Sequence, residues 1–373
     1  MQRALSLRAA GLRRHDVARF RRSLDRSDAS LVRDQQVYFD NIAQLPVGVL
    51  RIKVDPETIR PVAGSDDYWA EVTVALRLDG YDAVPVRTRD RFRFTPSVDR
   101  QRLVVASTTD AEWETGHPGN TQPWDVGRIE VRQRPGILGI FDDSTGRYAD
   151  RVVSAASTGR YEVRSVVGSA ASVDEGVVVY SLRDPAFLRG LAGQTVGDPD
   201  RADGLTIAVP ADVREPSRGD ASYRVFLNPR ILDQPSSVLG RLVRHELTHA
   251  TLGSRARGIP LWLNEGIAEY VSVRPMAPDR RQLPATALSV AASARDLPGE
   301  AQFAGPDAEA WYALSWWVCE YVASVYGEQM LFLLMDRLRD EADQDAVIPD
   351  VLGVTTAQLA QRGVALMTTT YGG

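Results

Sequence analysis

Residues 245–249 read His245-Glu246-Leu247-Thr248-His249, and residues 260–270 read Pro260-Leu261-Trp262-Leu263-Asn264-Glu265-Gly266-Ile267-Ala268-Glu269-Tyr270. The first run follows the pattern HExxH and holds two of the four histidines in the chain. On a helix, positions i and i+4 lie one turn apart on the same face, so both imidazoles can reach one cation. Glu246, beside the first of them, stands where a carboxylate can take a proton from a water that the cation activates. That is minimal equipment for hydrolysing an amide at neutral pH. The plainer alternative, two hydrogen-bonded core histidines, leaves Glu246 without a purpose.

The surroundings predict a helix. Residues 233–236, Asp-Gln-Pro-Ser, offer a capping residue and an early-turn proline, and Gly253 is a stop signal after the last apolar residue. Val238, Leu239, Leu242, Val243, Leu247 and Ala250 supply apolar surface between them, with Arg241 and Arg244 the only charges before His245. A catalytic zinc ion takes three protein groups and keeps a fourth position for water, so a third ligand is required. The second run reads as a helix entered at Pro260, with Leu263, Ile267 and Tyr270 apolar and Glu265 and Glu269 spaced i,i+4. Two carboxylates so placed repel unless a cation or proton donor separates them. Tryptophan and aliphatic neighbours argue against a fully solvated pair.

HExxH followed by a short connection and WLNEG-x-AEY resembles the gluzincin metallopeptidases, most closely their peptidase-MA-like branch; the same WLNEG-x-A signature occurs in M1 aminopeptidases. The resemblance is specific over residues 236–273 and extends to about residue 340. It implies that His245, His249 and Glu265 bind Zn²⁺ and that Glu246 is the general base. It further implies that Glu269 holds a zinc-binding histidine by its other ring nitrogen. A tyrosine-x-x-serine segment is common in that branch, and Tyr312-Ala313-Leu314-Ser315 matches it, which makes Tyr312 the candidate oxyanion donor. Aromatic packing is the competing reading for Tyr312. In such enzymes the strand before the HExxH helix tends to be a sheet edge that pairs with extended substrate.

Two departures shape the expected activity. Only fifteen residues, 250–264, separate His249 from Glu265, so the loop 254–258 must turn tightly, which Gly253 and Gly258 permit. No GxMEN-type motif, with which M1 aminopeptidases hold a free amino terminus, occurs upstream. The expectation is an endopeptidase rather than an aminopeptidase, acting on a peptide or protein substrate.

The remainder predicts an α+β chain of two domains. Residues 1–135 show an arginine-rich amphipathic helix over 2–24, a second helix over 31–45, and alternating segments at 49–54, 69–78, 90–95, 101–106 and 128–133. Helices feeding a curved antiparallel sheet resemble the NTF2-like cone, a fold from which no function follows. Residues 136–373 read as a zincin-like peptidase domain. Its expected elements are a helix over 144–167 weakened by Gly146 and Gly159, strands at 176–180, 205–209 and 223–228, and a short helix over 185–191. The zinc helices at about 235–273 and a helical tail over 308–373 complete it, the tail opening with one long helix to about 339. His15 and His117 read as solvent-exposed.

A length of 373 residues is ample for two cores. Net charge −5 argues against general binding to nucleic acid or anionic membranes. Lys53 is the single lysine, an arginine skew that reflects GC-rich bacterial coding. Cys319 stands alone, so it forms no intramolecular bridge and reads as core. No run of 18 apolar residues exists to span a bilayer. Taken literally the chain is cytoplasmic. If a signal or anchor preceded Met1, it is extracytoplasmic, and the resemblance favours the latter. The alternative to an enzyme is a catalytically inactive zinc-containing module in which the amino-terminal domain recognises a ligand or partner.

Overall fold

The computed structural model describes residues 1–171, 175–184, 188 and 202–372. It is a mixed α+β chain that separates into two compact units, Met1–Ser154 with Glu175–Asp233, and Ala155–Asp174 with Gln234–Gly373. Apart from Leu188, the helix expected over 185–191 lies outside the described residues.

In the first unit, β1 (Val47–Val54), β2 (Arg60–Pro61), β3 (Tyr68–Leu78), β4 (Val86–Pro96) and β5 (Leu103–Ser107) form an antiparallel sheet in the order β1-β3-β4-β5, with β2 also paired to β3. The sheet curls into a half-barrel. Helices Gln2–Arg13, Val17–Arg21 and Ala29–Ala43 belong to the same unit, and Leu5, Phe20 and Ile42 share a buried core with Leu50 and Phe94 of the sheet. The single helix expected over 2–24 is two. His15 takes φ 53° between them, and the Asp16 side chain caps the second by accepting from the Arg19 amide at 2.9 Å. Gly11 makes this turn possible, because a Cβ there would lie 2.6 Å from the Phe20 nitrogen.

A second sheet comprises β6 (Ile129–Arg134), β7 (Ile137–Asp142), β8 (Val177–Ser181), β9 (Gly204–Pro210) and β10 (Asp220–Leu227), in the order β6-β7-β8-β10-β9. Pairings β7–β8 and β8–β10 are parallel, the other two antiparallel. Every residue of β8 is buried, as suits a central parallel strand. Three expectations change. The segment expected at 128–133 is β6, which starts this sheet instead of finishing the first. Position 135/136, the expected domain boundary, falls in the β6–β7 hairpin. The strand before the HExxH helix, β10, lies between β8 and β9, so both its edges are occupied and it offers no ladder to an extended peptide.

The second unit is helical. Helix Ala149–Val167 contributes its part from Ala155 onward, and Gly159 is a contact position in it: a Cβ there would meet Val243, Arg244 and Leu247 at 3.3–3.4 Å. Helices Ser236–Leu252 and Leu261–Val273 follow, then Ala287–Ser293, Ala308–Tyr326, Gln329–Asp340, Gln344–Leu352 and Thr356–Tyr371. The long helix expected from Trp311 to about Arg339 is broken at Gly327, which takes φ 94° and separates two helices. Among the described residues, no helix is long and apolar enough to cross a membrane.

Candidate metal centre

Helix Ser236–Leu252 carries His245, Glu246 and His249. Its start is plainer than expected, since Pro235 occupies the cap position without a side-chain bond, and Asp233 accepts from the Tyr148 hydroxyl instead. The connection to the next helix is short, as the spacing predicts. A 3₁₀ turn over Gly253–Ala256 and positive φ at Gly253 and Gly258 reverse the chain. Helix Leu261–Val273 is buried on nearly every side, with Trp262, Leu263, Ile267 and Val273 at 1 % exposure or less.

Gly266 lets this helix pack as it does against Ala308–Tyr326. A Cβ at that position would sit 2.6 Å from the Ser315 carbonyl oxygen and 2.7 Å from Cys319 Sγ. Neither backbone nor buried thiol can yield cheaply. Gly266→Ala is therefore expected to cost about 1–3 kcal/mol by overpacking, read as a lowered midpoint in thermal or denaturant unfolding. An unchanged midpoint would show that the two helices are not in this contact.

Three side chains converge. His245 Nε2 lies 3.2 Å from His249 Nε2, and Glu265 Oε2 lies 3.2 Å from the first and 3.4 Å from the second. One ligand atom from each of these residues falls within 4.8 Å of the others, close enough to hold a metal ion. Glu265 is 4 % exposed and Glu246 5 %. Burial by itself would raise the Glu265 carboxyl. The charges and hydrogen bonds of His249 and His245 outweigh it and hold the group far below the ordinary carboxylate range. Burial likewise works to lower His245, but the carboxylates of Glu265, Glu269 and Glu246 overcome it and raise the imidazole well above its usual value. A pair of facing imidazole nitrogens with one shared carboxylate oxygen could hold a single metal ion.

Behind these three side chains stands a second charge pair. Glu269 Oε1 lies 3.2 Å from His245 Nδ1, within ion-pair range though off the line of a well-formed hydrogen bond, and its Oε2 accepts from Arg241 Nη2 at 2.6 Å. Burial works to raise Glu269; His245 and then Arg241 bring it down to about 2. The Arg241 guanidinium in turn lies 5.7 Å from the Trp316 ring centroid. The sequence marks Arg241 only as a charge on the HExxH helix, and its i−4 spacing from His245 is the signal that it shares the ligand face. Arg244 on the same helix donates to the Ser272 carbonyl at 2.7 Å and pairs with Glu162 at 3.2 Å, tying the two site helices together.

Tyr312, on helix Ala308–Tyr326, feels the charges of the Glu265, Glu246 and Glu269 carboxylates. It is half-buried, and its ring meets Phe303 edge-on at 5.1 Å. Burial raises its hydroxyl pKa, reinforced by the charges of Glu265, Glu246 and Glu269, so the group stays protonated as a donor. Ser315 donates to the Trp311 carbonyl at 2.9 Å and serves the helix. Cys319 is buried, as expected of a core residue. His15 and His117 are both exposed, as expected; His117 also stacks on Trp113 with ring centroids 4.1 Å apart, its Nδ1 2.7 Å from the Trp113 carbonyl.

Glu269→Gln is expected to weaken metal binding roughly 10–100-fold, the usual cost of losing a group that orients a histidine ligand, while leaving the fold intact. Competition with a metal-indicator dye measures it, and unchanged affinity would remove Glu269 from the site. Comparison of the chain with family models and with curated proteins returns no match.

Proposed function

We propose that the chain is a zinc-dependent peptide-bond hydrolase of the gluzincin type, an endopeptidase rather than an aminopeptidase. The observation that carries this reading is the convergence of His245, His249 and Glu265 with Glu246 buried beside the first ligand. Two imidazole nitrogens and one carboxylate suit zinc better than a calcium or magnesium site, which takes oxygen ligands. A zinc ion held there supplies Lewis acidity toward a carbonyl oxygen and lowers the pKa of a bound water.

The chain's own groups supply the proton transfers. Glu246 accepts a proton from the attacking water as its oxygen bonds to the scissile carbonyl carbon. It then returns that proton to the amide nitrogen, which leaves as an amine when the carbon–nitrogen bond breaks. The Tyr312 hydroxyl donates to the oxygen on which negative charge develops. Glu269, fixed by Arg241, holds His245 in one orientation and so limits the reorganisation of the ligand set. In this reading the helical unit is the core of the zincin-like part, and the helices and curled sheet of the first unit are an NTF2-like cone. A structural metal site would need no carboxylate at position 246.

The test is hydrolysis of unfolded casein by protein purified without added metal, before and after a chelator, then with zinc restored. The expected result is activity lost to the chelator and regained with zinc, with circular dichroism unchanged throughout. Loss of helical signal on chelation would make the site structural, and activity indifferent to chelation would reject the mechanism.

A further inference from the structure

A cavity of about 740 Å³ lies in the first unit, lined in part by the curled sheet and the helix Ala29–Ala43. That volume falls within the range of small-molecule sites. Its walls are mixed. Ile52, Leu76, Phe92 and Trp124 bring apolar surface, while Arg8 and Gln35 bring polar atoms that the protein leaves unmatched.

Arg8 is the unusual member. It projects from the first helix, is 2 % exposed, and makes no ion pair among the described residues. Its guanidinium carbon lies 4.8 Å from the Phe20 ring centroid, 4.9 Å from Tyr38 and 5.7 Å from Phe92, so ring faces surround it. Nε and Nη1 have no hydrogen-bond partner. Aromatic faces recover only part of the cost of burying a cation. The other deeply buried guanidinium on the cavity wall shows the contrast. Arg224 pairs with Asp82 at 3.0 Å and donates to the Tyr180 hydroxyl at 2.5 Å, so its charge is already answered.

Five acids also line the cavity, Asp28, Asp34, Asp90, Glu114 and Asp125, and none forms an ion pair with Arg8 among the described residues. Burial, and then the charge of Asp125, raises the Asp90 carboxyl above its usual range, and its Oδ1 accepts from the Arg91 amide at 2.7 Å. Burial raises the Asp125 carboxyl to about 7 against the Gln122 amide, which donates to its Oδ2 at 2.8 Å, and against the charge of Arg8. The inner wall therefore presents the unpartnered Nε and Nη1 of Arg8 beside apolar rings. Gln35 adds one free acceptor, Oε1, because its amide nitrogen is spent on Thr108 at 2.9 Å.

We propose that this cavity binds a small organic monocarboxylic acid, its carboxylate held by Arg8 and its apolar body against Tyr38, Phe92 and Trp124. A carboxylate matches the planar fork of a guanidinium and offers acceptors to Nε and Nη1, which have none in the protein. The Gln35 oxygen suits a hydroxyl or amide N–H on the same ligand. The site is independent of the metal centre, and its outcome does not depend on whether the chain hydrolyses peptides.

The test is calorimetric titration of the full chain with octanoate, phenylacetate and indole-3-acetate, each beside its primary amide. At least one acid is expected to bind, and at least tenfold more tightly than its amide. Arg8→Met is expected to bind acid and amide alike, with near-native circular dichroism. If that variant fails to fold, the acid-to-amide ratio of the wild type still decides. Failure of all three acids to bind at millimolar concentration, or equal binding of acids and amides, would overturn the proposal.

Discussion

Glu246→Gln is expected to retain zinc at the wild-type stoichiometry and to lose peptide hydrolysis by about 10²- to 10⁴-fold, the range that a positioned general base supplies. The loss corresponds to about 3–5 kcal/mol of transition-state stabilisation. Glutamine keeps the shape of the side chain and its place in a 5 %-exposed niche, so packing against neighbouring helices is preserved. What it lacks is the capacity to accept a proton. Because His245, His249 and Glu265 are untouched, the metal-holding group stays intact. The two readouts separate the roles cleanly: kcat falls while metal content does not. A variant that hydrolyses casein at the wild-type rate would remove Glu246 from the mechanism, and one that loses zinc would move it among the ligands.

The second large effect is expected from Glu265→Ala, which should lower zinc affinity by more than the roughly 10–100-fold typical of losing an orienting group. Glu265 Oε2 is the one oxygen facing both imidazole Nε2 atoms, at 3.2 and 3.4 Å. Removing it leaves two nitrogens for a cation that takes three protein groups in catalytic sites. The substitution also leaves His245 and His249 without their shared carboxylate partner. Dye competition measures the affinity, and circular dichroism distinguishes a lost ligand from a lost fold. Wild-type affinity in a folded Glu265→Ala protein would show that the metal, if bound, sits elsewhere.

The ligand group was legible in the sequence because its geometry is local. An i,i+4 pair on one helix and an acidic residue a short, glycine-bounded connection away leave little freedom, and the structure brings His245, His249 and Glu265 together. Glu269 follows from the same helical period, one turn beyond Glu265. Arg241 and Gly266 carry weaker signals. The ion pair of Arg241 joins two helices, and the reason for Gly266 lies in a carbonyl and a thiol on a third, Ser315 and Cys319.

Sheet organisation was harder to read for a related reason. Strand segments show in alternation and in β-branched runs, but partners do not. The order β6-β7-β8-β10-β9 joins strands distant in sequence through parallel pairs, which leave no turn signature. The interior position of β10 follows from that order alone. Helix breaks divide along the same line. Gly327 is a conventional stop, whereas the break at His15 rests on a non-glycine residue with φ 53° and on the close approach at Gly11.

The most direct measurement is zinc per chain, by elemental analysis of wild-type protein purified without added metal and again after dialysis against zinc. The account predicts close to one zinc per chain, displaced by chelators and taken up again. A folded wild-type chain that contains no zinc and takes up none on addition would contradict it.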